Sequence, residues 1–248
     1  MYQFFVEPTQ IDLHDKSVII AGSDVNHIRN VLRMKIGEEL NISNGQDGRE
    51  YRCAIESFEE NRIICRLRFV KEDNIELPSR VYLFQALPKA DKMELIIQKA
   101  VELGAYRIIP VAAKRCVVKL DEKKAASKIA RWQGIAEAAA KQSKRAIIPE
   151  VSDVMSFSQA VKLASDMDVR LIPYELAEGM GKTREVIDGL MPKQDIALFI
   201  GPEGGFEEAE IQTAIDNGII PLTLGKRILR TETAGMTVLS WIMYRLEG

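Results

Sequence analysis

Six stretches of this chain are almost continuously apolar: VYLFQAL (81–87), RIIPVAA (107–113), IIPEV (147–151), VRLIPY (169–174), DIALFI (195–200) and IIPLTL (219–224). A strand with one wetted face alternates with a period of two, whereas a strand covered on both faces has no polar side to show. Between these runs lie segments of helical periodicity, at about 90–103, 121–142, 157–166, 181–189, 207–217 and 232–246. Strand and helix in alternation predict an α/β layer, a parallel sheet with helices on both faces. Ligands of such sheets bind where the carboxyl ends of the strands meet the loops. The loops after these strands are therefore the place to look for chemistry.

The first 70 residues read differently. YQFFV (2–6), SVIIA (17–21), ELNIS (39–43), REYRCAI (49–55) and RIICRLRF (62–69) are short and rich in β-branched and aromatic residues. Asn44-Gly45 followed by Asp47-Gly48 signals a hairpin between two of them. One helix is predicted at about 24–34, from Val25, Ile28, Val31 and Leu32 at helical spacing, with Ser23 or Asp24 as its cap. Five strands and one helix in this length predict a small barrel. The polar, proline-bearing stretch Lys71–Ser79 is the expected linker, dividing the chain into domains 1–72 and 73–248.

Composition removes several function classes. No apolar run approaches the length of a membrane span, and MYQFFVEPTQ lacks the basic and apolar regions of a secretory signal. Cys53, Cys65 and Cys116 are odd in number and at no metal-like or disulfide-like spacing, which fits a reducing cytoplasm. His14 and His27 are the only histidines, so a His-rich metal site is not available and no metal is expected. The net charge of −2 conceals an uneven distribution. Residues 85–145 hold 14 basic and 6 acidic side chains, while residues 146–248 hold 9 and 16. The middle of the chain is a candidate footprint for a polyanion, although solvated helix faces account for the same count.

Two loops stand out. Gly201-Pro202-Glu203-Gly204-Gly205-Phe206 directly follows DIALFI and precedes a helix, and its glycines allow close approach of backbone to a ligand. Its spacing is neither a dinucleotide fingerprint nor a Walker A loop. Glu203, with Glu207, Glu208 and Glu210 behind it, has the wrong sign for phosphate and suits a cationic ligand. A tight turn with acidic residues on the helix dipole reads equally well. The second loop, Gly225-Lys226-Arg227-Ile228-Leu229-Arg230, sets two apolar side chains among three cations. Such side chains suit a flat ligand or a neighbouring chain, the other reading being a core-packed loop with solvated charges. Thr231 or Thr233 is placed to cap the last helix.

With IGPEGGF (200–206) followed by LTLGKRILRTETA (222–234), the chain resembles the SPOUT methyltransferases, the knotted S-adenosylmethionine enzymes. More closely it resembles the bacterial 16S ribosomal RNA uracil-N3 methyltransferase family. His27-Ile-Arg-Asn-Val-Leu-Arg33, Gln85-Ala-Leu-Pro-Lys-Ala-Asp-Lys92, Lys99-Ala-Val-Glu-Leu-Gly104 and Gln142-Ser-Lys-Arg145 follow the same pattern, so the likeness covers nearly the whole chain. The resemblance implies an α/β fold: a C-terminal SPOUT-type parallel sheet with a deep trefoil knot, preceded by a small PUA-like RNA-binding β-barrel. It also implies S-adenosyl-L-methionine as cofactor, 16S ribosomal RNA or the small ribosomal subunit as partner, and a homodimer, beside the cytoplasmic location and the lack of membrane and metal expected from composition.

On that reading Leu198, Phe199, Ile200 and Gly201 form one side of a cofactor pocket. Gly204, Gly205 and Gly225 admit the ligand, while Ile220, Leu222, Leu224, Ile228 and Leu229 close on its adenine. Uracil N3 is a poor nucleophile while protonated, so transfer needs proton removal or stabilisation of the developing anion. Glu203 and Glu232 are the candidate bases and Arg230 the candidate stabiliser. N3 lies on the Watson–Crick edge, so the target must be unpaired or flipped out. Arg29 and Arg33 fall four apart on the predicted helix, and with Lys89, Lys92, Lys114, Arg115, Lys144 and Arg145 they are expected to grip RNA phosphates. The stripe Leu239, Ile242, Met243 and Leu246 on the last helix is either core or a dimer contact. Two other readings are a ribose 2′-O-methyltransferase of the same fold and a non-catalytic ribosome-assembly RNA-binding factor. The intact glycines speak against the second.

Overall fold

The short strands of the first third pair into one sheet of six: β1 (Gln3–Phe5), β2 (Ile11–Asp12), β3 (Ser17–Ala21), β4 (Glu39–Ser43), β5 (Glu50–Phe58) and β6 (Arg62–Lys71). Their order is β1-β4-β5-β6-β3-β2, antiparallel except for β1 beside β4. This computed structural model describes residues 1–72, 75–177 and 179–247. The sheet has one strand more than the five expected, because β2 is two residues long and carries no pattern. The β5–β6 pairing shifts register at Arg52/Cys53 and Ile55/Ser57, irregularities of the kind that bend a strand and raise its twist. One apolar cluster fills the curl, including Phe4, Val18, Ile20, Leu40, Ile42, Ile55 and Ile63. The Asn-Gly and Asp-Gly pairs form the β4–β5 turn as expected. Asn44 Oδ1 accepts from the backbone N–H groups of Gln46 and Asp47, and Gly45 and Gly48 take φ of +73° and +71°.

The helix expected at 24–34 is largely absent. A single α-turn, α1 (Ser23–Asn26), passes into a π-helical turn at His27–Val31. Gly22 is the cap residue, so neither Ser23 nor Asp24 caps; Asp24 instead pairs with Lys141 at 3.2 Å. The wider π-turn breaks the four-residue register, and Arg33 lies beyond it at φ +54°, so Arg29 and Arg33 do not share an α-helical face.

The chain divides into two compact units, Met1–Glu76 with Ala140–Ile148, and Leu77–Ala139 with Pro149–Gly248. The division expected at residues 72 and 73 did not anticipate the returning segment 140–148. That segment is held by Gln3, whose Nε2 donates to the Arg145 carbonyl at 2.7 Å, and by Ile148, whose N–H donates to Gly45 O at 3.1 Å. The strand expected at 147–151 is thereby cut to β9 (Glu150–Val151). Of the expected linker, Asp73 and Asn74 lie outside the described residues, Lys71 closes β6, and Glu76 is a buried clasp.

The second unit is built on a sheet of β7 (Arg80–Ala86), β8 (Arg107–Ala112), β9, β10 (Met155–Ser156), β11 (Val169–Pro173), β12 (Asp195–Ile200) and β13 (Ile220–Leu222). Every pairing is parallel, as the unalternating runs require, in the order β10-β8-β7-β12-β11-β13 with β9 also on β8. The helices are α2 (Lys92–Glu102), α3 (Glu122–Ser143), α4 (Phe157–Ala164), α5 (Met180–Asp188), α6 (Glu208–Asp216) and α7 (Thr231–Glu247). Strand β12 runs through the middle, and its Phe199 stacks on Phe84 of β7 with ring centroids 4.4 Å apart. On α7, Leu239, Ile242 and Leu246 are buried within the chain itself and Met243 is half-buried, so most of that stripe is core. Among the described residues no helix is long and apolar enough to cross a membrane, and no group of three or more His, Cys, Asp or Glu is placed to hold a metal.

Candidate active site

Strand β12 ends at Ile200, and the loop Gly201–Phe206 carries the chain to α6. Two strands across, β13 ends at Leu222, and its loop leads to α7. Between them stands β11, whose own exit is Pro173-Tyr174-Glu175. The three loops surround one cleft of about 600 Å³, the size of a small-molecule site. Ile200, Gly201, Gly204, Gly205, Leu224, Gly225, Ile228 and Leu229, expected around a cofactor, line it, together with Glu203 and Arg230, expected to be catalytic, and Lys92, expected on RNA. Leu198, Phe199, Ile220 and Leu222 do not. They sit inside the strands, with Leu198 and Phe199 fully enclosed, and they support the walls from below. The sequence reading missed Pro173, Tyr174 and Glu175. VRLIPY is legible as a strand, but its place between β12 and β13 is not.

The first loop is pinned on several sides. Glu203 Oε1 accepts from the Lys89 N–H at 3.0 Å and from Lys92 Nζ at 2.9 Å. Burial pushes the Glu203 carboxyl up, but Lys92 and the backbone N–H groups of Glu203 and Lys89 outweigh it and hold the group below the ordinary carboxylate range. Arg115 Nη1 donates to Gly204 O at 3.0 Å. Gly205 takes φ of +66°, a left-handed turn that a side chain resists, and its N–H bonds Pro202 O at 2.9 Å. A capping box of Glu207 and Glu210 closes the start of α6, and Glu210 also accepts from the Lys114 N–H at 2.9 Å.

A buried bridge ties the loop to α7. Thr231 Oγ1 donates to Gly201 O at 2.6 Å and accepts from Gln85 Nε2 at 2.9 Å. Gln85 is wholly buried at the end of β7 and also donates to the Ala86 carbonyl. Thr231 therefore joins two strand ends instead of capping its helix. Glu232, one residue on, has Oε2 3.6 Å from Lys92 Nζ and no hydrogen bond to that buried oxygen. It is not part of the cleft wall.

The second loop is open. Gly225 takes φ of +103°, and Lys226, Arg227, Ile228 and Arg230 are exposed, Ile228 by 87%. Other cations assigned to RNA divide into two groups. Arg33, Lys89, Lys114 and Lys144 have exposed side chains. Arg29 donates to the carbonyls of Glu59 and Glu60 and lies over the Phe58 ring at 5.6 Å. Arg145 contradicts its assignment: it is 3% exposed and bonded to Glu76, whose Oε1 also takes the N–H groups of Ala146 and Ile147. A guanidinium buried on a carboxylate cannot grip a phosphate.

Comparison with known proteins matches this geometry to a family. An RNA methyltransferase domain model matches residues 75–243, and an RNA methyltransferase PUA domain model matches residues 20–68. The Ribosomal RNA small subunit methyltransferase E of Bacillus subtilis is 40% identical over 251 residues, covering 100% of this chain and 98% of its own. A crystal structure of the methyltransferase E of Neisseria gonorrhoeae bound to S-adenosyl methionine is 31% identical, with a TM-score of 0.83 over 98% of this chain and 97% of that one. A Legionella pneumophila structure in complex with SAM is 34% identical, with a TM-score of 0.81 over 98% and 96%. On these likenesses, over a cleft formed by the same two glycine-bearing loops that the sequence singled out, the chain belongs to the ribosomal RNA small subunit methyltransferase E family.

Proposed function

We propose that this protein is an S-adenosylmethionine-dependent methyltransferase acting on N3 of a uridine in small-subunit ribosomal RNA. The observation that carries the reading is the convergence of Gly201–Phe206 and Gly225–Arg230 on one cleft, in a family whose similar structures hold S-adenosylmethionine. The cleft fits that ligand. An added Cβ on Gly205 or Gly225 meets nothing within 4 Å, so both backbones face open space, and the volume suits a nucleoside with an amino-acid tail. When bound, the cofactor supplies an electrophilic methyl on a cationic sulfur. The chain's own part is to hold that group, exclude water and present the nucleophile in line.

Arg230, exposed on the rim, is placed to stabilise negative charge developing on the uracil or to hold its phosphate. Of the two carboxylates, Glu203 is the one on the cleft wall, but Lys92 holds it ionised and weakly basic. Glu232 lies behind Lys92. We therefore assign charge stabilisation by Arg230 as the main contribution to the transfer, with Glu203 setting the loop. The first unit serves as a PUA-like RNA-binding module, with Arg33 and Lys144 among its exposed cations. The reading carries with it a knotted methyltransferase unit, a homodimer and a cytoplasmic site of action. The test is transfer of labelled methyl from S-adenosylmethionine to 16S ribosomal RNA and to the small subunit, followed by mass mapping of nucleosides. We expect 3-methyluridine; a 2′-O-methylated nucleoside would overturn the base assignment.

A further inference from the structure

We infer that Lys92 and Arg115 are positioning residues of the cofactor loop and not contacts for RNA phosphate. Both read from sequence as part of a cationic RNA footprint. In the fold Lys92 is ion-paired to Glu203 and the exposed Arg115 donates to the Gly204 carbonyl, so both are bonded to Gly201–Phe206. Lys92 reaches it from the start of α2 and Arg115 from the loop after β8, so the segment is splinted from two separate elements. Lys92 Nζ lies 2.9 Å from Glu203 and 3.6 Å from Glu232. One ammonium thereby ties the first loop to the first turn of α7, at the edge of the cleft. Both carboxylates are largely covered, with side-chain exposures of 25% and 15%, so each would lose more than a surface partner if Lys92 left. Arg115 Nη1 bonds the Gly204 carbonyl, and its stem would lie 3.6 Å from a Cβ at Gly204. It thus fixes both the direction of that peptide and the space behind it. Lys92, with its charge already paired to two carboxylates, is a poor phosphate ligand, and Arg115 is held toward the loop by its bond to the Gly204 carbonyl.

The inference rests on the cofactor reading above, and the experiment keeps the two apart. S-adenosylhomocysteine affinity is measured by calorimetry, and affinity for a 16S ribosomal RNA transcript is measured across a salt series, for the wild type, Lys92→Met, Lys92→Arg, Arg115→Met and Glu203→Gln. A merely folded scaffold is checked by thermal unfolding of each variant. We expect Lys92→Met and Arg115→Met each to weaken S-adenosylhomocysteine about three- to tenfold, with the RNA salt slope unchanged. Lys92→Arg keeps most of the affinity, and adding Glu203→Gln to Lys92→Met costs little more than either alone, since one contact is removed twice. If Lys92→Met does not fold, Lys92→Arg and Glu203→Gln carry the same comparison. A salt slope reduced by about one phosphate with unchanged S-adenosylhomocysteine affinity would overturn the inference alone. A wild-type protein that gives no heat with S-adenosylhomocysteine would overturn the cofactor reading and the inference with it.

Discussion

The loops after β12 and β13 face one cleft, yet they are held in opposite ways. The first is fixed by Lys89, Lys92, Arg115 and Thr231, with a capping box closing the helix behind it. The second has Gly225 bonded to the Thr223 hydroxyl at 3.3 Å, and beyond it three cations and Ile228 stand in solvent. A site that binds a cationic cofactor and then a large polyanion needs both arrangements. Preorganised backbone lowers the ordering cost of binding the small ligand. Unspent positive charge on the other lip is what a nucleic acid can use. The contrast teaches that cations close in sequence to a cleft are not equivalent. Those bonded to carboxylates and carbonyls shape the site, and those in water are available to substrate.

This division makes separable predictions. The largest effect is expected from Arg230→Ala on the open loop. It should lower kcat by about 10²–10³-fold if Arg230 stabilises developing charge, with unfolding temperature unchanged because the side chain is exposed. Single-turnover kinetics and thermal unfolding measure both. Thr231→Val on the pinned side should do the reverse. It removes the hydroxyl that serves the Gly201 carbonyl and one of the two acceptors of the Gln85 amide, and should cost about 1–3 kcal/mol of stability, read by urea unfolding. Gly225→Ala forces a side chain into a left-handed backbone at an estimated cost of about 1–3 kcal/mol, whereas Gly204→Ala meets only ordinary contacts and should be close to neutral. If both substitutions cost the same, the left-handed backbone at Gly225 is not what constrains that position.

Much of the second unit was legible because both-face burial removes alternation from a strand. DIALFI is β12 to the residue, and the two glycine-bearing loops fall where the sequence put them. What could not be read was lateral order. Nothing in VRLIPY says that it lies between β12 and β13, so its exit loop was missing from the site. Leu198 and Leu222 were drawn into the pocket by nearness in sequence, although a strand residue's burial is decided by the layers above and below it. The first unit yielded less. Its π-turn defeated a helical reading of Val25 to Leu32, and Arg145 looked like a surface cation because its partner, Glu76, lies 69 residues away in the chain.

Smaller effects sharpen the same comparison. Amide exchange at residues 226–230 should be fast in the free protein and slow by about an order of magnitude when S-adenosylhomocysteine is added, with less change at residues 201–206. Equal protection of both loops before ligand would remove the distinction. The Lys92–Glu203 pair also fixes a pH dependence. The Glu203 carboxyl sits below its ordinary value, so its contribution is complete above that value and is lost as pH falls through the depressed one. Lys92 is raised, chiefly by its hydrogen bond to Glu203, so its contribution is complete below its ordinary value and is lost as pH rises through the raised one. S-adenosylhomocysteine affinity should therefore be flat across the neutral range and decline only in acid or strong alkali. A titration step near neutrality would contradict the pairing.

The most direct measurement is a crystal structure of the protein grown with S-adenosylhomocysteine. The account predicts the nucleoside between Gly204 and Gly225, in contact with both loops, with Lys92 still on Glu203. Density for the ligand anywhere else, or a cleft filled by protein side chains with the ligand excluded, would contradict it.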